Sequence, residues 1–357
     1  MSAKAGRIDA ESVDAEDIVE DFFSGVVLAG LLATCLLFLF LLRKYIQWGG
    51  DCPTDNRIDG KTVIITGGNS GIGRATATEL SKRGARVILA CRDMKKGDAV
   101  ARAIRKKTMN PNVFCMRLDL SSLHSVKEFA DEFCYNEPQL HVLINNAAYM
   151  GPKLTTSDHI EKNFGVNYLG HFYLTKLLVE KLHKNAPSRI INVISDSYQS
   201  GKLDFNDLAM HESYGIYRAY ARSKMALAIL TLELHRRYYS EVIWTFAVHP
   251  GAVNTDLLRN WPGMTGNFLR VMSRILFKTP EQGCQTIVYC AVADKVRDHA
   301  GKLFINHQAV NYVKRVRDWD MARRLWNVSL HLIGCDDEIE PEQVEEAIHG
   351  ADTAKQE

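Results

Sequence analysis

The sequence predicts an α/β protein: a doubly wound parallel sheet in a single domain, preceded by one transmembrane helix. Three observations carry that expectation. Between positions 58 and 335, short runs rich in β-branched residues alternate with stretches of helical length, the pattern of parallel strands joined by helical crossovers. The first run leads straight into a glycine-rich turn and then a helical pattern, as at a phosphate-binding strand–turn–helix. Residues 22–42 carry no charge and are rich in Leu, Phe, Val and Ala; as a helix they would cross the roughly 30 Å of a hydrocarbon core.

Composition narrows the function classes. With 44 Lys+Arg against 42 Asp+Glu the charges nearly balance, which argues against a nucleic-acid partner. Apolar residues at 46% and charged residues at 24% match ordinary globular usage and exclude wholesale disorder. The cysteines (Cys35, Cys52, Cys91, Cys115, Cys134, Cys284, Cys290, Cys335) form no C-x-x-C pair and no His/Cys cluster, so neither a disulfide scaffold nor a metal site is expected. Most read as buried small hydrophobes of a reducing compartment.

In chain order, residues 1–21 are acidic, with Asp9, Glu11, Asp14, Glu16, Asp17, Glu20 and Asp21 against Lys4 and Arg7. The apolar run 22–42 follows an acidic rather than a basic segment and exceeds a signal peptide's apolar core, so it reads as a retained single-pass anchor. Arg43, Lys44, Arg57 and Lys61 lie beyond it, and the positive-inside rule puts the main domain in the cytosol. Asn327-Val328-Ser329 is an N-glycosylation acceptor triplet that would report the opposite topology, and otherwise a chance occurrence. Residues 43–57 read as a linker. Strands are expected at 61–66, 85–91, 112–118, 140–145, 189–194 and 242–248, almost continuously apolar and therefore covered on both faces. From 336 to 357 the chain is again strongly acidic, read as a solvated, partly disordered tail.

The turn after the first strand reads Thr66-Gly67-Gly68-Asn69-Ser70-Gly71-Ile72-Gly73. Glycines there let backbone approach a pyrophosphate at the N-terminus of the next helix. The second strand ends in Cys91, followed by Arg92, where an NAD site usually places an acid. Arg74 follows the last glycine. Two guanidiniums suit a ribose 2′-phosphate, so NADP(H) is favoured over NAD(H).

Farther on stands Tyr220-Ala221-Arg222-Ser223-Lys224. Tyr and Lys at i and i+4 share a helix face. An ammonium beside a phenol favours the phenolate and brings it into range for proton transfer.

The spacing T-G-x-x-x-G-x-G resembles that of the short-chain dehydrogenases/reductases, a Rossmann-type superfamily, and further segments fit the same pattern. The resemblance implies that Asp119 lies near the adenine and that Asn145-Asn146-Ala147-Ala148 stands for an N-N-A-G motif, contributing Asn146 and Ala147 to the cofactor site. It implies that Pro250, Gly251, Val253 and Thr255, of a P-G-x-V-x-T segment, contact the nicotinamide end. It also implies a tetrad: Ser195 after the fifth strand to hold the reacting oxygen, Tyr220 for the proton, Lys224 for the nicotinamide ribose, and Asn167 in V-N-x-x-G to hold a helix kink and a water linking Lys224 to solvent. No metal is implied. Closest is the membrane-anchored retinol dehydrogenase branch, on ARVILACRDMKKG, GVNYLGHFYLTKLL, YARSKMAL, HPGAVNTDL, KTPEQGCQT and MARRLWNVS. That branch implies interconversion of retinol and retinaldehyde with NADP(H), at the endoplasmic reticulum membrane with the catalytic domain cytosolic, some relatives being mitochondrial. Steroid or lipid-derived carbonyls, or a non-catalytic cofactor-binding scaffold, are the other readings, and relatives often form homo-oligomers. Residues 257–278 would be the substrate lid, and their large apolar side chains suggest an apolar substrate; contact with the bilayer or packing on the domain would also account for them.

Overall fold

The computed structural model describes residues 15–340 and 343–355. The start of the acidic N-terminal segment, to residue 14, lies outside them, as do 341–342 and 356–357. The chain divides into one unit ending at Ile46 and another beginning at Gln47.

The first unit is helix α1 (Ala15–Ile46). Its stretch Phe23–Ile46, with a mean hydropathy of 2.7, is a candidate membrane span. It extends a few residues past the expected 22–42, and the side chains from Phe23 to Leu41 are exposed, as suits a helix solvated by lipid.

The second unit is built on a sheet of order β3-β2-β1-β4-β5-β6-β7-β8. The strands are β1 (Thr62–Thr66), β2 (Arg86–Cys91), β3 (Val113–Arg117), β4 (Val142–Asn145), β5 (Ser188–Val193), β6 (Ile243–His249), β7 (Leu303–Ile305) and β8 (Gln308–Val310). All six expected strands are present, within a residue or two. All pairings are parallel except β7 with β8. The order reverses between β1 and β4, which makes the crevice at their carboxyl ends the place for a ligand.

Alternation along the strands explains the layers. Val63 and Ile65 face one cluster, with Leu80 of α2 (Gly71–Lys82) and Ile104 of α3 (Met94–Thr108). Ile64 faces the other, with Phe129 of α4 (Leu123–Asn136) and Phe164 of the short helix α5 (Lys162–Phe164). A π-helical turn, Gly165–Leu169, joins α5 to α6 (Gly170–Lys184). The same layer includes α7 (Ile216–Tyr238), the longest helix of this unit. After β6 come the lid helix α8 (Gly263–Leu276), the short α9 (Pro280–Gly283) and α10 (Gln285–Val292), the last packing in the first layer. Helix α11 (Trp319–Leu332) completes the second.

Three features add to or correct the sequence reading. The linker packs on the domain beyond the end of α1. Thr54 and Asn56 offer backbone carbonyls to Arg83 Nη1 at 2.7 and 3.0 Å, and Cys52 N donates to Gln285 Oε1 at 3.0 Å. The acidic C-terminal segment is not a disordered tail: Val344–Lys355 forms α12, with Ala347 and Ala351 buried in the core. Small apolar residues four apart let an otherwise acidic helix seat one face. An ion pair from Arg324 to Glu346 at 3.0 Å and another from Lys176 to Glu338 at 2.5 Å hold the region. Third, only Cys91, Cys284 and Cys290 are buried; Cys35 and Cys134 are exposed, and all eight are free. No metal-holding cluster occurs among the described residues. Asn327 sits inside α11, buried, its amide donating to Gln343 Oε1 at 2.5 Å, so the folded domain offers no acceptor there.

Candidate active site

One cavity of about 630 Å³ opens at the carboxyl ends of the strands. It is lined by Gly67 and Asn69 to Gly73, then Arg92, Asp119, Asn146 and Ala147. Pro250, Gly251, Val253 and Thr255, with Ser195, Tyr220 and Lys224, complete the set. Two named residues stand outside it. Arg74 points to solvent from the first turn of α2, and buried Asn167 lies behind the cavity.

The phosphate loop suits a dinucleotide. Helix α2 begins at Ser70 with no side-chain cap and no acidic residue in its first turn, so its N-terminal N–H groups are free for an anion. Gly71 has φ +47, a left-handed conformation, and a side chain there would press on Thr255. At Gly73 a Cβ would lie 2.4 Å from Gly67 O. Behind the loop, Thr66 Oγ1 accepts from Asn146 N at 2.8 Å and Ala147 N at 2.9 Å, and Asn146 Nδ2 donates to Thr66 O at 2.8 Å. Ala148, in the usual glycine position, keeps a negative φ, so its methyl is tolerated.

At the adenosine end, Cys91 and Arg92 line the cavity together with Lys96, a cation the sequence did not single out. Asp93 is also there, but its carboxylate accepts from Lys96 N at 2.9 Å and caps α3. It is occupied by the helix rather than offered to a ribose.

At the other end, the buried turn of α7 presents Tyr220 and Lys224. Ser195, two residues past the end of β5, faces the same cavity, and its hydroxyl accepts from Ser197 N at 3.4 Å. Lys224 Nζ donates to Val193 O at 2.8 Å and lies 5.7 Å from the Tyr220 ring centre. Burial dominates both groups. It pushes the phenol above its ordinary value, with the nearby Ser195 hydroxyl pulling the other way, and it pushes Lys224 down to about 7. Near neutral pH the desolvated amine is about half charged, so its pull on the Tyr220 phenol is weaker than that of a full ammonium. The phenol of the chain by itself is therefore held as an acid.

Asn167 lies in the π-helical turn Gly165–Leu169. Its side chain accepts from Tyr149 N at 2.7 Å and donates to Tyr149 O and Ser223 Oγ at 2.8 and 2.9 Å. His171, one turn on, is a member of the site that its motif does not announce. It is fully buried, with Nδ1 3.1 Å from Asn167 O and Nε2 2.9 Å from Thr66 Oγ1. Burial lowers it to about 3, so it is neutral, donating from Nδ1 and accepting at Nε2. It ties the phosphate loop to the catalytic half of the site. A lone buried His carries no sequence signal for such a link. The substrate end adds Tyr149, Met150, Val166, Tyr217, Leu257 and Phe277.

A family model described as short chain dehydrogenase matches residues 61–265. The chain belongs to the short-chain dehydrogenase/reductase family. Among curated proteins it is 44% identical to Retinol dehydrogenase 13 of Mus musculus over 301 residues, 82% of this chain and 90% of that one. It is 42% identical to Retinol dehydrogenase 12 of Homo sapiens over 317 residues, 87% and 98%. These place it in the family's retinol dehydrogenase branch. A solved structure from Mycobacterium paratuberculosis, 33% identical, covers 80% of this chain and 98% of its own with a TM-score of 0.64. A short chain dehydrogenase from Escherichia coli CFT073 crystallised with NADPH shares the fold at 22% identity and a TM-score of 0.57, covering 72% of this chain and all of its own. This chain is therefore an oxidoreductase of a family that uses a nicotinamide cofactor.

Proposed function

We propose that this chain is an NADP(H)-dependent oxidoreductase interconverting retinaldehyde and retinol, or a similar apolar aldehyde and alcohol. It would work at a membrane through α1, with the catalytic domain in the cytosol. The endoplasmic reticulum is the favoured membrane and a mitochondrial one the alternative. The observation that carries the proposal is the convergence of Ser195, Tyr220 and Lys224 on the same cavity as the uncapped phosphate loop.

When bound, the nicotinamide supplies the hydride in reduction and takes it in oxidation. Ser195 holds the reacting oxygen by its hydroxyl. Tyr220 gives its proton to that oxygen in reduction and takes it back in oxidation. Lys224, fixed by Val193 O, would hold the adjoining ribose, and Asn167 braces the turn through Ser223, whose hydroxyl donates to Tyr220 O at 2.7 Å. Where NADPH is abundant, reduction is the favoured direction, with Tyr220 as the proton donor. Arg92 and Lys96 beside Cys91, with Asp93 engaged in its helix cap, support the phosphorylated cofactor. The aromatic and aliphatic rim supports an apolar substrate.

The test is turnover by membranes containing the full chain, with retinaldehyde, a long-chain aldehyde and a ketosteroid compared, each with NADPH and NADH. Faster reduction of retinaldehyde with NADPH is expected. NADH preference would overturn the cofactor reading, and ketosteroid preference the substrate reading.

A further inference from the structure

Helix α8 carries an apolar stripe that the domain does not use. Met264, Phe268, Val271 and Ile275 fall on one face of the helix, and their exposures are 87%, 64%, 52% and 47%. Met272, Ser273 and Leu276, on another face, turn inward. Scattered exposed apolar residues need no explanation, but a continuous helical stripe does.

The charges beside the stripe are of one sign. Residues 257–278 contain Arg259, Arg270, Arg274 and Lys278 and no acid. Lys278 is buried, where its Nζ donates to Asn306 Oδ1 at 2.9 Å, and Arg270 donates to Leu258 O and Trp261 O. Arg259 and Arg274 are exposed and pair with no acid among the described residues. An apolar face flanked by free arginines has the make-up of a helix lying in the headgroup region of an anionic bilayer.

Position within the domain points the same way. Gln47 is the residue that follows the candidate span in the chain. Its Nε2 donates to Phe277 O, immediately past the end of α8, at 3.1 Å. Trp48, next along, is 72% exposed, and Trp favours the membrane–water interface. The C-terminal end of α8 is thus held by the residue at which the chain leaves the span.

We propose that α8 docks on an anionic lipid surface by Met264, Phe268, Val271 and Ile275, with Arg259 and Arg274 at the headgroups. Leu257 and Leu258, in the turn that leads to α8, line the active-site cavity, so the docked face adjoins the cavity. An apolar molecule dissolved in the bilayer then meets the rim without crossing water.

The full chain would be reconstituted in phosphatidylcholine vesicles, with and without phosphatidylserine, each containing a photoactivatable phospholipid. Cross-linked peptides would be mapped by mass spectrometry, cross-links within 23–46 serving as the internal reference. Cross-links within 263–276 are expected, stronger with phosphatidylserine. They should be lost in Met264→Glu and in Phe268→Glu while those of the span persist. Met264 is so exposed that its replacement leaves the fold intact. Lipid cross-links confined to 23–46, equal yields in the two vesicle types, or cross-links joining α8 to a second copy of the chain would each overturn the proposal.

Discussion

Tyr220 and Lys224 share a helical turn, and burial acts on them in opposite directions, raising one and lowering the other. Removing the phenol in Tyr220→Phe is expected to slow carbonyl reduction by roughly 10²–10⁴-fold, the usual worth of a positioned general acid. NADPH binding, followed by fluorescence titration, should change little. Lys224 ties stability to pH. Its folded pKa of about 7 lies below the ordinary 10.5, so between those values the unfolded chain holds more protons and stability rises with pH. The melting temperature of wild type should therefore climb more from pH 7 to pH 9 than that of Lys224→Met. Equal climbs would show that the amine is not desolvated. His171 gives a third expectation. His171→Leu leaves Thr66 Oγ1 and Asn167 O without their shared partner. It should raise KM for NADPH and lower kcat together, measured by steady-state kinetics, since both halves of the site lose a brace. Gln at 171, which can donate and accept, should recover part of each.

Elements show where sequence reasoning reaches and where it stops. Buried β-branched runs announce parallel strands, because nothing else of that length is so continuously apolar; hence β1 to β6 were legible. The hairpin of β7 and β8 was not. Its strands have three residues each, and its turn places Asn306 and His307 in the left-handed region without a glycine. The phosphate loop was legible because bare backbone leaves glycine as its signature. Lys96 was not, since a surface lysine looks alike whether or not it faces a cavity. Arg74 is exposed and outside the cavity lining; a place one residue past the loop says nothing of which way a helix turns it. Between elements, Arg222 Nη2 meets Glu161 Oε2 at 2.9 Å in a buried pair that locks the catalytic turn of α7 to α5. Glu161→Ala strands that guanidinium and should cost about 3–5 kcal/mol in urea unfolding. If the loss stays well below that, water reaches Arg222 and the lock is weaker than its geometry suggests.

Across the whole molecule, the acidic composition of the C-terminal end hid a structural helix. What marked it was the spacing of two alanines, a signal too small to stand out among carboxylates. Through Arg324, which holds Glu346 and stacks over Phe205 at 4.5 Å, and through His349 Nε2, 3.2 Å from Asn206 Oδ1, α12 secures the segment before α7. Within that segment Leu208 O receives Arg222 Nη1. Ending the chain after Cys335 should therefore lower the melting temperature and the reductase rate alike. Whoever trims these last residues to tidy a domain boundary, or hangs a purification handle on them, would be pulling on the far end of a lever whose short arm is the helix that carries Tyr220.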